Sequence, residues 1–141
     1  MSDIPTWQHQ VSQWLDHGPA LLQLDAVANP GDLAQCLTVA GLETGTVDLA
    51  AAADKDEMMR AFQRDLDWPA WFGANWDALA DMLLGPEEAE AQPMALIIAG
   101  WPEFAERSPD AAATLIELID ELSAEPRSLL VGAVLLPRSE S

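Results

Sequence analysis

The sequence predicts an α/β domain, a small parallel β-sheet wrapped by helices. Short apolar runs alternate along the chain with segments of helical periodicity, and alternation of that kind calls for a parallel sheet with helices on its faces. One of the runs, MALIIAG at 94–100, is apolar without a break, as a strand covered on both sides must be. With 141 residues, half of them apolar, 8 Gly and 10 Pro, the chain suits one globular domain.

Each element has its own signal. Behind Pro5, Trp7, Val11, Trp14 and Leu15 recur at helical spacing, so a short amphipathic helix is expected over 4–16, stopped by Gly18 and Pro19. ALLQL (20–24) reads as a strand. Asn29 and Pro30 then open a helix whose Leu33, Leu37 and Ala40 share one face and which Gly41 ends. The next strand is expected at TVDLA (46–50).

Asp54 with Glu57 three residues later has capping-box spacing, and Met59, Phe62 and Leu66 give the helix behind it an inward stripe. Pro69 bars its continuation. Asn75 caps a further helix that Gly85 and Pro86 close, and the acidic EEAEAQ (87–92) connects it to the 94–100 strand. Ser108 and Pro109 begin a helix buried through Leu115, Leu118, Ile119 and Leu122. SLLVGAVLL (128–136) supplies the last strand.

Charge narrows the function classes. With 24 acidic against 6 basic residues the formal net charge is −18, a field that repels nucleic acid and anionic lipid and attracts basic proteins. Cys36 is the sole cysteine, so no internal disulfide can form, and a reducing, cytoplasmic setting is expected. The longest apolar run, Leu129–Leu136, is too short to cross a bilayer as a helix. No membrane association and no cofactor are expected.

The densest stretch is LDWPAWFGANWDALADMLLG (66–85), with three tryptophans beside three aspartates. On a helix through 75–84, at about 100° per residue, Asp77 and Asp81 fall one turn apart on one face and Leu79 and Leu83 on the opposite one. The leucines are expected inside and the aspartates outside. Leu84 falls near the aspartate face, and Trp71 lies upstream in a turn that Gly73 loosens. Two like charges a turn apart repel slightly, and only Asp77 sits near the favourable end of the helix dipole. Such a face is either a solvated helix surface or a recognition surface where carboxylates meet Arg or Lys and aromatics exclude water.

WPAWFGANWDALADML resembles the signature of the barstar family, small acidic α/β proteins that inhibit barnase-type ribonucleases. The shared pattern is Pro69, the aromatic pair Trp71 and Phe72, Gly73, Asn75, Asp77, Ala78, Leu79 and Asp81, and Trp101 and Phe104 fit aromatic positions further on. The resemblance implies a barstar-like core over 44–141 preceded by an N-terminal helix-strand-helix extension over 1–43, the whole forming one domain. The extension is expected to lengthen the sheet along one edge.

The same resemblance implies a function. The loop and motif helix would plug a ribonuclease active site, with carboxylates standing where RNA phosphates bind. Asp81 corresponds to the acid that meets the phosphate-binding arginines, Asp77 to the acid one turn earlier and Trp71 to the aromatic against the catalytic histidine. Gly73 and Asn75 match loop positions beside it, and Glu121 matches an acid at the interface edge. Ala80 stands where the best-known member of the family has tryptophan, Leu84 replaces a polar contact residue, Pro86 falls near a lost aromatic, and Trp76 redistributes the aromatic surface.

The expected partner is therefore a basic ribonuclease, of extracellular or toxin type, bound one to one by a monomer that acts as an inhibitor, or as an immunity or antitoxin protein, and not as an enzyme. The alternative is an acidic chaperone or adaptor for a basic client. Asp77 and Asp81 as an acid and base pair or as Mg²⁺ ligands would need further groups. His9 and His17 lack a matching Cys or Ser partner nearby, Cys36 lies on a helix stripe, and no glycine-rich phosphate loop follows a strand.

Overall fold

The computed structural model describes residues 6–17, 20–24, 30–84, 92–126 and 128–137. Along them run α1 (Thr6–His17), β1 (Leu21–Gln23), α2 (Pro30–Val39), β2 (Glu43–Asp48), α3 (Lys55–Asp65), α4 (Trp76–Leu84), β3 (Met94–Ala99), α5 (Trp101–Arg107), α6 (Pro109–Ala124) and β4 (Leu130–Leu135). The four strands form one all-parallel sheet in the order β1-β4-β3-β2, the α/β class that the alternation predicts.

The two-residue period of the strands sorts their side chains onto two faces. Leu96 and Ile98 of β3 join Ala133 and Leu135 of β4 in a core that takes Met58, Met59 and Phe62 from α3, Leu79 and Leu83 from α4, and Leu115 and Ile119 from α6. Ala95, Ile97, Val134 and Leu136 face the other way and meet Val11 and Trp14 of α1 and Leu33 and Leu37 of α2. At about 1.5–3 kcal/mol for each large apolar side chain removed from water, both layers contribute substantially to holding the sheet.

The N-terminal extension thus does more than lengthen the sheet. β1 pairs along β4, Leu21 opposite Ala133 to Gln23 opposite Leu135, as an added edge strand must. Its two helices also cover a whole face of the sheet that would otherwise meet water.

Some boundaries differ from the sequence expectation. β2 starts at Glu43 rather than Thr46, because it ladders with β3 from Glu43 opposite Met94 to Asp48 opposite Ala99. Thr44 and Gly45 carry no apolar signal, and Gly45 is covered by Leu66 instead of by a side chain of its own. α2 ends at Val39, which leaves Ala40 exposed in the turn. α5 has no sequence counterpart in our reading, since seven residues are too few to show a helical period.

Capping largely follows the spacing. Asp54 Oδ1 accepts the Glu57 N–H at 2.8 Å, and Glu57 Oε1 accepts from Ala53, one residue before the expected partner. Ser108 makes no side-chain cap: its N–H closes α5 on the Phe104 carbonyl at 2.8 Å while its carbonyl accepts from Ala112 to open α6. Asn29, Gly18, Pro19, Gly85, Pro86 and most of the acidic connection lie outside the described residues.

Candidate functional site: the loop and helix from Trp68 to Leu84

α3 ends at Asp65, and Pro69 prevents any continuation, so the chain turns back toward α4. Three rings anchor the reversal. Phe62 stacks on Trp68 with centroids 5.9 Å apart, and Trp68 meets Phe72 edge-on at 5.0 Å. Phe72 is buried, and its N–H closes the turn on the Pro69 carbonyl at 3.0 Å.

Between these anchors Trp71 points out, 77 % exposed, beside the buried Phe72. A ring of that size in water is unfavourable for the free protein and contributes only when something covers it. Asn75 then caps α4 as its spacing predicts, its Oδ1 accepting from Ala78 at 2.8 Å and its Nδ2 donating to the Gly73 carbonyl at 3.3 Å.

Within α4, Leu79 and Leu83 are fully buried while Asp77 and Asp81 are exposed, the division expected from a helical period. Among the described residues neither aspartate accepts a hydrogen bond or forms an ion pair, so two negative charges a turn apart stand uncompensated. Gly73 and Asn75 are exposed beside Trp71. Trp76 and Leu84 are half-buried, with Trp76 packed on the core and the Leu84 carbonyl accepting from Leu129 at 3.2 Å. Ala80 is also half-buried, and Pro86 lies outside the described residues.

Along residues 71–84 the exposed positions are Trp71, Gly73, Ala74, Asn75, Asp77 and Asp81, with Trp76, Ala80 and Leu84 half-buried. Glu121 is exposed on α6, the helix against which α4 packs, so it belongs to the neighbouring element rather than to the loop. Sequence reasoning missed the Phe62–Trp68–Phe72 series, although Phe62 on the α3 stripe and Trp68 just ahead of Pro69 were its visible signals.

Two basic side chains lie elsewhere. Arg60 and Arg64 of α3 line a shallow groove of about 210 Å³ at the end of β2, over Ala51, Ala52 and Ala61. Asp48 and Glu57 share that groove, and each accepts a backbone N–H, from Ala50 and Ala53. Arg64 Nε donates to Asp65 Oδ1 at 2.8 Å, and this guanidinium, with help from the Asp48 N–H on Oδ2, holds the Asp65 carboxyl below the usual carboxylate range. The same pairing raises the Arg64 guanidinium.

Among the described residues no group of three or more His, Cys, Asp or Glu could hold a metal ion, and no helix is long and apolar enough to cross a membrane. His9 is exposed on α1, and Cys36 is half-buried against the layer formed by α1 and α2.

The family model described as Barstar (barnase inhibitor) matches residues 42–132. The chain belongs to the barstar family. The match runs from the residue before β2 into β4 and contains the whole Trp68–Leu84 surface and Glu121. It leaves α1, β1 and α2 of this barstar-family chain outside, and it stops at Gly132, short of the C-terminal boundary expected from the sequence.

No curated protein sequence matches the chain. Among solved structures, the barstar-family chain is similar to the ORC2 protein of Aeropyrum pernix in its ADPNP–ADP complexes, with a TM-score of 0.58 and 12 % identity, over 94 % of this chain and 39 % of that one. At this identity the likeness is one of fold, and the chain spans well under half the length of that relative.

Proposed function

We propose that this chain inhibits a small basic ribonuclease by seating the Trp71 loop and the aspartate face of α4 in the nuclease active site. The observation that carries the reading is the exposed Trp71 followed six and ten residues on by the exposed, unpaired carboxylates of Asp77 and Asp81, in a protein whose family is described as barnase inhibitors. A nuclease must keep a basic cleft for RNA phosphates, and carboxylates presented on a rigid helix use the same cations.

Asp81 would engage the phosphate-binding arginines, Asp77 would support it one turn away, and Trp71 would stack over the catalytic centre. Gly73 and Asn75 would shape the loop that reaches it, while Trp76 and Leu84 border the contact and Glu121 adds charge at its edge. No bond is made or broken by the inhibitor. The complex is one to one, formed in the cytoplasm, and a toxin nuclease whose producer needs immunity is the natural counterpart.

The test is a titration of the chain into a barnase-type ribonuclease while RNA cleavage is followed, with Asp81→Ala run in parallel. Cleavage is expected to vanish at one equivalent of the native chain and to persist with the variant. Equal inhibition by both proteins would sink the active-site plug. Cleavage untouched by either would shift the weight to an adaptor that binds a basic client through its overall charge.

A further inference from the structure

We infer that Gln63 is a positioning residue for Trp71, setting through the Pro69 carbonyl the turn that presents the tryptophan to a partner. The inference rests on the inhibitor reading for its binding consequence and on geometry for the turn itself.

Gln63 sits half-buried near the end of α3 and grips the following turn at two points. Its main-chain carbonyl accepts the Trp68 N–H at 3.0 Å, and its side-chain Nε2 donates to the Pro69 carbonyl at 2.8 Å. That carbonyl also accepts the Phe72 N–H at 3.0 Å, so both of its lone pairs are used. Pro69 has no N–H to offer, so its carbonyl is the one backbone hydrogen-bonding group this residue brings to the reversal.

The turn is also bracketed by left-handed backbone. Asp67 has φ 54° and Ala74 has φ 52°, conformations that L side chains adopt at a cost and keep only where the surroundings fix them. On the inner side the aromatic contacts of Trp68 and Phe72 supply part of that fixing. On the α3 side Gln63 supplies the hydrogen bond. Trp71 projects from this turn with Phe72 beside it buried and its own ring 77 % exposed, so the turn sets the direction of its Cα–Cβ bond before any partner arrives. A loop fixed in its bound shape loses less freedom on association.

Gln63→Met keeps the length and packing of the side chain and removes its donor. The Phe72 amide, which closes the turn, is then expected to exchange its hydrogen about tenfold faster in the free protein, with the helical amides of α6 unchanged. In the ribonuclease titration, Gln63→Met is expected to weaken inhibition about tenfold when Trp71 is present and hardly at all in a Trp71→Ala background.

Additive effects of the two substitutions would overturn the inference, because a residue that only supports the fold would act in either background. Unchanged Phe72 exchange would overturn it as well. If the native chain fails to inhibit the nuclease at all, the inhibitor reading has failed by itself, and the amide exchange still decides whether Gln63 holds the turn.

Discussion

Trp14 of α1 lies directly over Gly132 of β4: a Cβ on that glycine would come within 3.0 Å of Trp14 Cζ2, and within 2.1 Å of the Ala20 carbonyl that accepts the Ala133 N–H. The extension and the family-matched region are therefore fitted to each other without room for a methyl group. At this point β4 also carries one extra residue, since Met94 pairs with Leu130 and Ala95 with Gly132, which leaves Val131 outside the register.

Removal of residues 1–41 would strip the cover from Ala95, Ile97, Val134 and Leu136 together. The segment 42–141 is expected to be insoluble or to bind a hydrophobic dye and melt without cooperativity, although it contains the entire family match. A sharp thermal transition close to that of the full chain would show that the second layer is dispensable.

Gly100 is a second place where backbone meets backbone. Its φ is 73°, and a Cβ there would lie 2.3 Å from the Ala50 nitrogen. Gly100→Ala combines left-handed strain with displacement of the loop after β2, so a loss of about 3 kcal/mol or more is expected in urea unfolding. A loss under about 1 kcal/mol would mean that the two loops can part easily.

Trp71→Ala separates stability from binding. Because the side chain is 77 % exposed, the unfolding free energy is expected to stay within about 0.5 kcal/mol of the native value. Inhibition of a barnase-type ribonuclease is expected to weaken by about 2 kcal/mol or more, roughly thirtyfold. A large drop in melting temperature would place Trp71 in the core instead.

The Arg64–Asp65–Asp48 link carries a pH signature. The folded carboxyl of Asp65 titrates below its unfolded value, so the stabilisation it contributes is fully present above the unfolded value, about 3.9, and is lost as pH falls through the folded one. Urea unfolding of native and Asp65→Asn proteins is expected to differ at pH 7 and to converge below about pH 4. A gap that widens in acid would contradict the assignment.

With a net charge of −18 the folded chain repels itself. Raising NaCl shortens the screening length from about 30 Å at 0.01 M to about 3 Å at 1 M, and the melting temperature is expected to climb by several degrees over that range. A flat or falling profile would show that the acidic surface is already neutralised by local pairing, which the exposed Asp77 and Asp81, without an ion pair among the described residues, argue against.

The local signals were legible because each lies within one turn or one strand. Asn75 caps α4 and Asp54 caps α3 where their spacing says, and the 3.6-residue period alone sends Leu79 and Leu83 inward and leaves Asp77 and Asp81 in water. The unbroken apolar run of β3 likewise announces a strand covered on both faces. Where neighbours along the chain do not carry the signal, the pattern is silent: the start of β2 is hidden because Gly45 is covered by Leu66, and α5 is too short to show a helical period.

By itself the sequence determined the α/β class, the order of its main elements, the aspartate face and the aromatic pair beside it. Only the tertiary structure decided that β1 docks beside β4, that α1 and α2 close the second face of the sheet, and that Trp71 is exposed while Phe72, one residue on, is buried. Periodicity acts between residues a few positions apart. Strand order and the fate of an aromatic ring depend on contacts between segments far apart in the chain, such as Trp14 with Gly132, which no local pattern encodes.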